Sequence, residues 1–382
     1  MATPTTTSET RSVLVTGGAG FIGAALVNHL TSRHPHWRIV VLDKLDYCSS
    51  LAPIRELLAS GRVSFVHADL TDAAAVQSLL RDHAVTAVVH LAAQSHVDNS
   101  FGNSLAFTVA NVLGTHVLLD CMRAHGNITR FVHVSTDEVY GDGMKKKNGQ
   151  ADETALLAPN NPYSATKAAA ECLVRAYLAS YGIPAIITRS NNVYGPGQYP
   201  EKVIPKFICQ LLDGQKCTLH GSGAHERRYL HVADVCRALD LILERGKIGE
   251  IYNIGTDHEL SNLALATDLV GRFHTLNADL SLHVEHVADR AANDRRYAID
   301  SSKLRALGWS GPTVAWDTGI QETIEWYRQH RHDWWGDLGE ALRAHPTDDR
   351  RTIAEMARSP VLVAHRAISL QTTTTIPDSS RK

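Results

Sequence analysis

A short apolar segment that runs directly into a glycine-rich turn, VLVTGGAGFIG at residues 13–23, decides the fold class of this chain. Its first residues fit a buried strand, and residues 24–30 after the turn have the composition of a helix. In this context Gly17 permits a tight turn, Gly20 lets the backbone approach a pyrophosphate, and Gly23 lets the helix pack closely on the sheet. The segment therefore predicts a phosphate-binding loop between the first strand and the first helix.

Further apolar segments of strand length alternate with amphipathic stretches of helix length up to residue 193. They lie at residues 39–42, 63–66, 87–91, 131–135 and 185–188. Strands that alternate with helices predict an α/β fold with a doubly wound parallel sheet of the Rossmann type. Residues 165–181 lie between Asn-Pro and Gly-Ile-Pro, so they should form one long helix.

The pattern loosens beyond residue 193, where loops that contain glycine, proline and lysine surround a strand-like segment at 251–254 and a helical one at 262–273. This part should form a smaller C-terminal lobe that binds the substrate. We expect a Rossmann domain at 11–190 plus about 229–255, a substrate-binding lobe at 191–228 and 256–345, and a flexible polar tail at 346–382.

Composition and charge restrict the function. The 38 basic and 40 acidic residues leave a net charge of -2, which argues against nucleic-acid or membrane partners. The six cysteines are scattered, the N-terminus lacks the order of a signal peptide, and no run of about eighteen apolar residues is apparent. We therefore expect a cytoplasmic protein with reduced cysteines. The 21 histidines show no metal-ligand spacing, so no metal is expected.

Two aspartates after the second and third strands favour a dinucleotide at the glycine-rich turn. Asp43 ends the second strand about twenty residues past the turn, where a carboxylate can accept hydrogen bonds from both ribose hydroxyls and repel a 2′-phosphate. It favours NAD over NADP, although the adjacent Lys44 leaves this preference open. Asp69 is placed to face the adenine. The alternatives are a helix cap or solvated turn for Asp43 and a helix cap for Asp69.

Tyr163 and Lys167 form the first catalytic candidate. They lie one helical turn apart, so the ammonium group can lower the pKa of the phenol from about 10 towards neutrality. A tyrosinate could then take a hydroxyl proton while a hydride leaves carbon. The alternative interpretation is an exposed pair on a helix surface.

Asp137 and Glu138 form the second candidate, at the end of a predicted strand. Two neighbouring acids tend to separate in pKa, which leaves one protonated at neutral pH. A protonated acid beside an ionised base suits the elimination of water, whereas the alternative is a solvent-exposed acidic turn. The preceding strand and the nearby Tyr163 favour the catalytic interpretation.

From residue 13 to about residue 345, the chain resembles the nucleoside-diphosphate-glucose 4,6-dehydratases of the extended short-chain dehydrogenase/reductase superfamily. The resemblance is carried by residues 16–23, 43–47, 90–98, 135–141, 161–167 and 191–196, and in the second lobe by 200–202, 289–290 and 296–297. It implies NAD as a transient hydride store, a nucleotide-sugar substrate, and a homodimer that forms through helices near residues 106–123 and 165–181.

The resemblance also implies roles for the candidate residues. Tyr163, aided by Thr136, would deprotonate the 4-hydroxyl of the sugar, Glu138 would remove the C5 proton, and Asp137 would protonate the departing C6 hydroxyl. The product would be a 4-keto-6-deoxy sugar, without net oxidation. The predicted catalytic set is Thr136, Asp137, Glu138, Tyr163 and Lys167. The predicted cofactor-binding set is Gly17, Gly20, Phe21, Ile22, Gly23, Asp43, Lys44, Asp69, Leu70, Leu91, Ala92, Ala93, Tyr163 and Lys167.

For the nucleotide sugar, the predicted binding set is Ser95, Asn192, Lys202, Arg227, Asn262, Arg290 and Asn293. The guanidinium groups of Arg227 and Arg290 suit a pyrophosphate. Residues 289–294 read DRAAND where bacterial deoxythymidine-type members commonly have DRPGHD, which leaves the loop geometry and the contact of Asn293 open.

Residues 42–49 (LDKLDYCS) and 334–337 (WWGD) look closer to plant-type UDP-rhamnose pathway enzymes, which favours UDP-glucose over dTDP-glucose. One methyl group separates the two bases and provides about 1–3 kcal/mol of discrimination. Two other functions stay open. A nucleotide-sugar 4-epimerase would need no acid pair, and a non-catalytic NAD-binding protein would need none of the catalytic residues.

Overall fold

The computed structural model describes residues 11–142, 149–274 and 278–344, and the tail expected at 346–382 lies outside these residues. The strands are β1 (Ser12–Thr16), β2 (Arg38–Asp43), β3 (Val63–His67), β4 (Ala87–His90), β5 (Arg130–Thr136), β6 (Ala185–Ser190), β7 (Asn192–Tyr194), β8 (Cys217–His220), β9 (Glu226–His231), β10 (Ile251–Ile254), β11 (Glu259–Ser261) and β12 (Val284–Val287). The helices are α1 (Phe21–Arg33), α2 (Arg55–Ala59), α3 (Ala73–Asp82), α4 (Val97–Gly102), α5 (Ser104–Phe107), α6 (Gly114–His125), α7 (Pro162–Tyr181), α8 (Val203–Leu212), α9 (Val232–Arg245), α10 (Asn262–Phe273), α11 (Leu280–His283), α12 (Ser302–Leu307) and α13 (Trp316–Trp335).

The main sheet has seven strands in the order β10-β6-β5-β4-β1-β2-β3, and all neighbouring pairs are parallel. Helices α1 and α9 pack on one face, and α3, α6 and α7 pack on the other. The predicted doubly wound Rossmann-type sheet is confirmed. Because all strands run in one direction, the loops after β1, β2, β4 and β5 meet at the same edge of the sheet.

The predicted strands are all present, with bounds shifted by one or two residues. Helix α7 begins at Pro162, three residues before the predicted start. The side chain of Asn161 accepts a hydrogen bond from the amide of Ser164, and the hydroxyl of Ser164 bonds back to the amide of Asn161. Proline is well tolerated at the first helical position, since its missing N–H has no partner there. The capping box therefore places Tyr163 inside the first turn.

The C-terminal part adds two small sheets, β11-β9-β7 and β12-β8, beside a core formed by α8, α10 and α13. The helix predicted at 262–273 is present with those bounds. Strand β10 pairs with β6 and so belongs to the main sheet, together with α9, which packs on α1. Residues 232–245 and 251–254 therefore pack with the main sheet, whereas β9 belongs to a small sheet, and the expected division into a Rossmann domain and a substrate-binding lobe stays a prediction.

One helical stretch of the described residues, Ser104–His125, is long and apolar enough to cross a membrane, with a mean hydropathy of 1.5. Polar residues interrupt the apolar ones in this stretch, so it contains no continuous apolar run of about eighteen residues. In its most apolar window 44% of the stretch is buried inside the molecule. Leu118, Leu119 and Met122 pack in the core under the sheet, which is the environment of a core helix.

Candidate active site

A cavity at the carboxyl edge of the main sheet contains every predicted catalytic and cofactor-binding residue. Its walls come from the glycine-rich turn after β1, the ends of β2 and β3, the loop after β4, the end of β5 and the first turns of α7. The parallel sheet thus brings together groups that are up to 150 residues apart in the sequence, from Gly17 to Lys167.

The glycine-rich turn is shaped by close contacts that exclude side chains. Gly17 has φ +69°, and a Cβ there would lie 2.7 Å from the backbone of Ala92. A Cβ at Gly23 would overlap the carbonyl oxygen of Gly17. At Gly20, by contrast, a Cβ would meet one atom within 4 Å, the same carbonyl oxygen at 3.3 Å. Gly20 is therefore open towards the cavity, whereas Gly17 and Gly23 are required by packing.

Asp43 is buried at the end of β2, and it lines the cavity. One carboxylate oxygen accepts a hydrogen bond from the amide of Ala19 at 3.0 Å, and the other accepts from the amide of Leu45 at 2.8 Å. The alternatives for Asp43, a helix cap or a solvated turn, are wrong. Its carboxylate joins the glycine-rich turn to the loop after β2 and retains lone pairs for a ligand.

Lys44 and Asp69 also line the cavity. The ammonium of Lys44 pairs with Asp46 at 2.9 Å, so a carboxylate partly neutralises the charge that left the NADP alternative open. Asp69 accepts hydrogen bonds from the amide and the hydroxyl of Thr71, at 2.9 and 2.8 Å. Helix α3 is capped by Asp72, so the capping alternative for Asp69 is wrong.

These residues fit a dinucleotide. Helix α1 begins after Gly20 without a side-chain cap, so the amides of its first turn are available to an anion. The open position at Gly20 leaves room for a phosphate, and Asp43 supplies the acid for ribose hydroxyls.

The predicted acid pair lies directly after β5. The hydroxyl of Thr136 donates to Asp137 at 3.3 Å and also bonds to the phenol of Tyr163. Asp137 is 2% exposed and accepts a hydrogen bond from Asn191 at 2.6 Å. Burial, reinforced by the negative charge of Glu138, raises the pKa of Asp137 to about 7, although the bond from Asn191 opposes the shift.

Glu138 is half-buried beside Asp137 and accepts a hydrogen bond from Asn161 at 3.1 Å. Burial raises its pKa too, while the bond from Asn161 and the positive charges of Arg227 and Lys202 lower it. The alternative of a solvent-exposed acidic turn is wrong. Because the pKa of Asp137 is close to neutrality, this carboxyl can hold a proton under ordinary conditions.

The predicted pair of Tyr163 and Lys167 is buried rather than exposed, so the alternative of a surface pair is wrong. The predicted effect on the phenol is also wrong for this arrangement. Burial raises the pKa of Tyr163, Glu138 and Asp137 raise it further, and only the bond to Thr136 lowers it. The ammonium of Lys167 donates instead to the carbonyl oxygen of Val134 at 2.6 Å, and burial lowers its pKa to about 8.

A buried ion pair, which was not predicted from the sequence, joins helix α7 to the turn that carries Asp137 and Glu138. Arg189 on β6 is 1% exposed and binds both carboxylate oxygens of Glu171, at 3.0 Å and 2.5 Å. It also donates to the hydroxyl of Tyr140 at 2.8 Å, and this hydroxyl donates to Asn253 at 2.8 Å. The spacing of Glu171, eight residues after Tyr163 on the same helix face, could have indicated it.

A second pocket adjoins the cavity and contains all seven predicted substrate-binding residues. Ser95, Asn192 and Lys202 line both spaces, as does Glu138. The buried side-chain oxygens of Asn192 and Asn262 have no hydrogen-bond partner among the residues that the structure describes. Each is an acceptor that a hydroxyl or N–H donor of a ligand could satisfy.

The two predicted arginines of this pocket differ in their partners. Arg290 pairs with Asp98 at 2.5 Å. Arg227 lies over the ring of Tyr297 at 4.6 Å and donates to Asn293 at 2.9 Å, and it forms no ion pair with another described residue. Asn293, whose role was open, therefore orients Arg227. The guanidinium of Arg227 keeps its charge available for an anionic ligand.

Several site residues were missed by the sequence analysis. Asn161 and Asn191, which bond the two catalytic acids, lie inside segments that carry the family resemblance, so membership of these segments could have indicated them. Asp98 lies in such a segment as well. Lys206 lines the second pocket from helix α8, and nothing in the surrounding sequence distinguishes it from a surface lysine.

Outside the two pockets, one group of described residues offers donor atoms with the spacing of a metal site. His34, Asp240 and Glu244 place these atoms within 4.8 Å of one another. Asp240 already accepts hydrogen bonds from His29 at 3.0 Å and from His34 at 2.7 Å. Hydrogen bonding therefore accounts for the arrangement without an ion.

The parallel sheet, the glycine-rich turn and the buried Tyr163 and Lys167 define a dinucleotide-dependent enzyme class of the short-chain dehydrogenase type. The family model for GDP-mannose 4,6 dehydratase matches residues 14–323. The human dTDP-D-glucose 4,6-dehydratase is 46% identical over 339 residues, which are 88% of this chain and 95% of the human protein. The chain belongs to this nucleotide-sugar 4,6-dehydratase family, as the sequence resemblance indicated.

A trifunctional Arabidopsis thaliana protein, named as a UDP-glucose 4,6-dehydratase, 3,5-epimerase and reductase, is 47% identical over 88% of this chain. The chain spans about half the length of this relative and of two similar ones, 50% in each case. Among solved structures, the dTDP-glucose 4,6-dehydratase DesIV of Streptomyces venezuelae, with NAD and TYD bound, has 44% identity and a TM-score of 0.79 over 85% of this chain and 98% of DesIV. The UDP-glucose 4-epimerase of Thermotoga maritima has 28% identity and a TM-score of 0.75 over 83% of this chain and 99% of the epimerase.

Proposed function

We propose that this chain is an NAD-dependent 4,6-dehydratase of a nucleoside-diphosphate-glucose, which produces the 4-keto-6-deoxy sugar. One observation carries the proposal: the neighbouring carboxyl groups of Asp137 and Glu138 share a buried cavity with Tyr163. A 4-epimerase needs the tyrosine but has no use for an acid and a base that eliminate water. The higher identity to dehydratases than to the epimerase supports the same choice.

The first step is oxidation at C4. Bound NAD supplies the acceptor of the C4 hydride and later the donor of the hydride to C6. Tyr163 takes the proton of the 4-hydroxyl, and Thr136 holds the phenol oxygen through its hydrogen bond. Because the pKa of Tyr163 is raised in this cavity, a positive charge is needed to form the tyrosinate. Lys167, whose pKa burial lowers to about 8, stays mostly protonated at neutral pH, and we propose that its charge serves this step once the ammonium leaves the carbonyl oxygen of Val134.

The second step is elimination across C5 and C6. The new ketone acidifies the C5 hydrogen, and Glu138 removes it as a proton. The C6–oxygen bond then breaks, and protonated Asp137 gives its proton to the departing hydroxyl, which leaves as water. In the last step a hydride adds to C6, and Glu138 returns its proton to C5. Asp137, whose pKa burial raises to about 7, is the carboxyl that can supply the proton at neutral pH.

The second pocket is the proposed site for the nucleoside diphosphate. Arg227 supplies an unpaired cation, and Asn192 and Asn262 supply unpartnered acceptors. We propose UDP-glucose as the preferred substrate over dTDP-glucose, because residues 42–49 and 334–337 are closer to plant-type UDP-rhamnose pathway enzymes. Relatives named for each nucleotide have nearly equal identity, 47% and 46%, so overall identity does not favour either base.

The test is incubation of the purified protein with NAD and either UDP-glucose or dTDP-glucose, followed by mass spectrometry. The proposal expects a product that has lost one water, more rapidly from UDP-glucose. Glu138→Gln should bind NAD normally but form little of this product. An isomer without mass change would identify an epimerase, and bound NAD without any product from either sugar would favour the non-catalytic alternative.

We further propose a cytoplasmic homodimer that forms through the stretch Ser104–His125 and helix α7. On α7, the side chains of Ala165, Ala169, Cys172 and Ala176 are exposed at helical spacing and form a small apolar strip. The free cysteines agree with a reducing compartment. Light scattering after gel filtration should give twice the chain mass, and Ala169→Glu should yield monomer, with Arg175→Glu on the same helix as the control. A monomeric wild type would contradict this proposal.

A further inference from the structure

One tyrosine connects the dinucleotide side of the cavity to the substrate side. Tyr47 lies in the loop after β2, and its hydroxyl donates to a carboxylate oxygen of Glu201 at 2.7 Å. It also accepts a hydrogen bond from Asn99 at 3.2 Å. Glu201 precedes α8 in the C-terminal part of the chain, and it is 8% exposed although Tyr47 is 45% exposed. A half-exposed side chain therefore bonds a buried acid that lines the cavity.

The loop that carries Tyr47 forms part of the cavity wall and is fixed at several points. Leu45 has φ +55°, a left-handed conformation that is uncommon for a branched residue, and its amide donates to Asp43. Asp46 accepts a hydrogen bond from Gln94 at 2.6 Å. The amide of Ser50 donates to the carbonyl oxygen of Ala19 in the glycine-rich turn at 2.9 Å. Hydrogen bonds of Leu45, Asp46 and Ser50 thus connect the loop to the dinucleotide side of the cavity. The hydrogen bond from Tyr47 to Glu201 connects it to the substrate side.

Aromatic contacts reinforce the same connection. The ring of Tyr47 meets Tyr199 edge-on at 5.3 Å, and Tyr199 meets Trp335 of α13 in the same way at 5.1 Å. Edge-to-face contacts of this kind are favoured by the charge distribution of aromatic rings. Tyr47 therefore has both a polar and an apolar contact with residues beyond 190.

We propose that Tyr47 and Glu201 form a clasp that closes over the dinucleotide cavity and retains NAD through repeated catalytic cycles. The inference rests on the proposed function, in which the hydride returns from the same cofactor that accepted it. A cofactor lost in its reduced form between the two hydride transfers would strand the intermediate. Lys44, Asp46, Cys48 and Ser49 line the cavity, so an opening of this loop would widen the exit, and opening breaks the bond to Glu201.

The clasp also adjoins the substrate pocket. Lys202, next to Glu201, donates to the carbonyl oxygen of Ser95 at 2.6 Å, and both Glu201 and Lys202 line the second pocket. A nucleotide sugar bound at Lys202 would restrain the backbone that carries Glu201. Retention of NAD should therefore strengthen when the second pocket is filled with UDP.

The test measures release of the cofactor, independently of sugar turnover. The protein is loaded with NADH, mixed rapidly with excess NAD, and followed by the fluorescence of bound NADH. Tyr47→Phe keeps the ring and removes the hydroxyl. A hydrogen bond to a charged acceptor contributes enough for an increase of about 10-fold or more in the release rate. Tyr181→Phe, at an exposed tyrosine outside both pockets, is the matched control and should leave the rate unchanged.

A second variant keeps the test decisive. Glu201→Gln should also accelerate release, and the double variant with Tyr47→Phe should release NADH no faster than the more severe single variant. Equal rates in wild type and Tyr47→Phe would overturn the clasp, and so would independent, multiplicative effects of the two changes. If Tyr47→Phe accelerates release in a protein that dehydrates no sugar, the clasp stands and the proposed function fails. If the protein dehydrates the sugar and Tyr47→Phe leaves the release rate unchanged, the proposed function stands and the clasp fails.

Discussion

The two adjoining pockets are built in different ways. The dinucleotide cavity is bounded on one side by the backbone of the glycine-rich turn, with Gly17 and Gly23 packed so tightly that no side chain fits. The substrate pocket is formed by long polar and charged side chains from separate segments, such as Arg227 and Arg290. The shape of the dinucleotide cavity depends on the backbone conformation of the turn. The charge of the substrate pocket depends on pairing between side chains that are distant in the sequence. One added methyl group should therefore damage the first, and one removed charge should damage the second.

The largest effect is expected at Asp137, which lines the dinucleotide cavity next to Glu138, a residue that lines both pockets. Asp137→Asn removes the proton donor, so the rate of water elimination should fall about 10²–10⁴-fold. In the wild type, the required protonated form is present below a pKa of about 7 and is lost as the pH rises through it. Turnover should therefore decline on the alkaline side in the wild type, and this decline should be absent from the residual activity of Asp137→Asn. Initial rates between pH 5.5 and 8.5 measure both effects.

The same carboxyl affects stability, because its pKa in the folded chain is raised above the ordinary value. The stabilising contribution of the neutral form is complete below the ordinary pKa of about 4 and is lost as the pH rises through about 7. Asp137→Asn should raise Tm at pH 8 more than at pH 5.5. An equal change in Tm at both pH values would contradict the raised pKa.

The next effect tests the backbone-built cavity. The methyl group of Gly23→Ala would overlap the carbonyl oxygen of Gly17, and the shift of the turn should weaken NAD binding about 100-fold. Gly339→Ala serves as the control for one added methyl group, because Gly339 is exposed and the atoms nearest to a Cβ there all belong to the side chain of Asp337. Calorimetric titration with NAD measures the dissociation constants. Normal NAD binding by Gly23→Ala would mean that this turn does not determine the site.

A third prediction concerns the pocket built from side chains. Arg227→Met removes a cation without an acidic partner among the described residues, so the KM for the nucleotide sugar should rise about 10–100-fold while NAD binding is unchanged. Arg290→Met instead leaves Asp98 without its partner, and a second change, Asp98→Asn, should recover part of the loss. Steady-state kinetics of the three variants measure this. Recovery of Arg227→Met by Asp98→Asn to the same extent would contradict the separate roles of the two arginines.

The smallest effect is expected at Asp43. Asp43→Asn removes the charge that would repel a 2′-phosphate, so the preference for NAD over NADP should fall about 10-fold. Binding constants for both cofactors distinguish two roles. An equal loss for NAD and NADP would indicate that Asp43 acts only through the amides of Ala19 and Leu45.

The sequence was sufficient for the parts of the molecule that depend on local context. The strand, turn and helix at residues 12–33 and the capping residues around Tyr163 are determined by neighbours in the sequence, and the predicted residues lie together. The effect of Lys167 on the phenol could not be predicted from spacing. Helical spacing places the two side chains on one face, but the burial of Tyr163 and its nearness to Glu138 arise from tertiary packing.

In the substrate pocket, too, contacts that arise from tertiary packing could not be predicted from the sequence. The family resemblance indicated Arg290, but its pairing with Asp98 joins residues that are 192 apart in the sequence. The clasp between Tyr47 and Glu201 joins residues that are 154 apart. No periodicity or motif encodes such contacts, because they form only when distant segments of the chain pack together.

The buried pair of Arg189 and Glu171 restricts how this enzyme can be recombined with its relatives. The pair and Tyr140 link helix α7 to the turn of residues 137–140, so these two segments cannot be exchanged independently. A chimera that receives residues 136–141 from a relative without a tyrosine at the end of that turn would leave a guanidinium donor unsatisfied in the interior. Segment boundaries chosen only because they lie in loops could separate these three residues. Boundaries that move residues 136–190 as one block would keep the contacts among Tyr140, Glu171 and Arg189 intact.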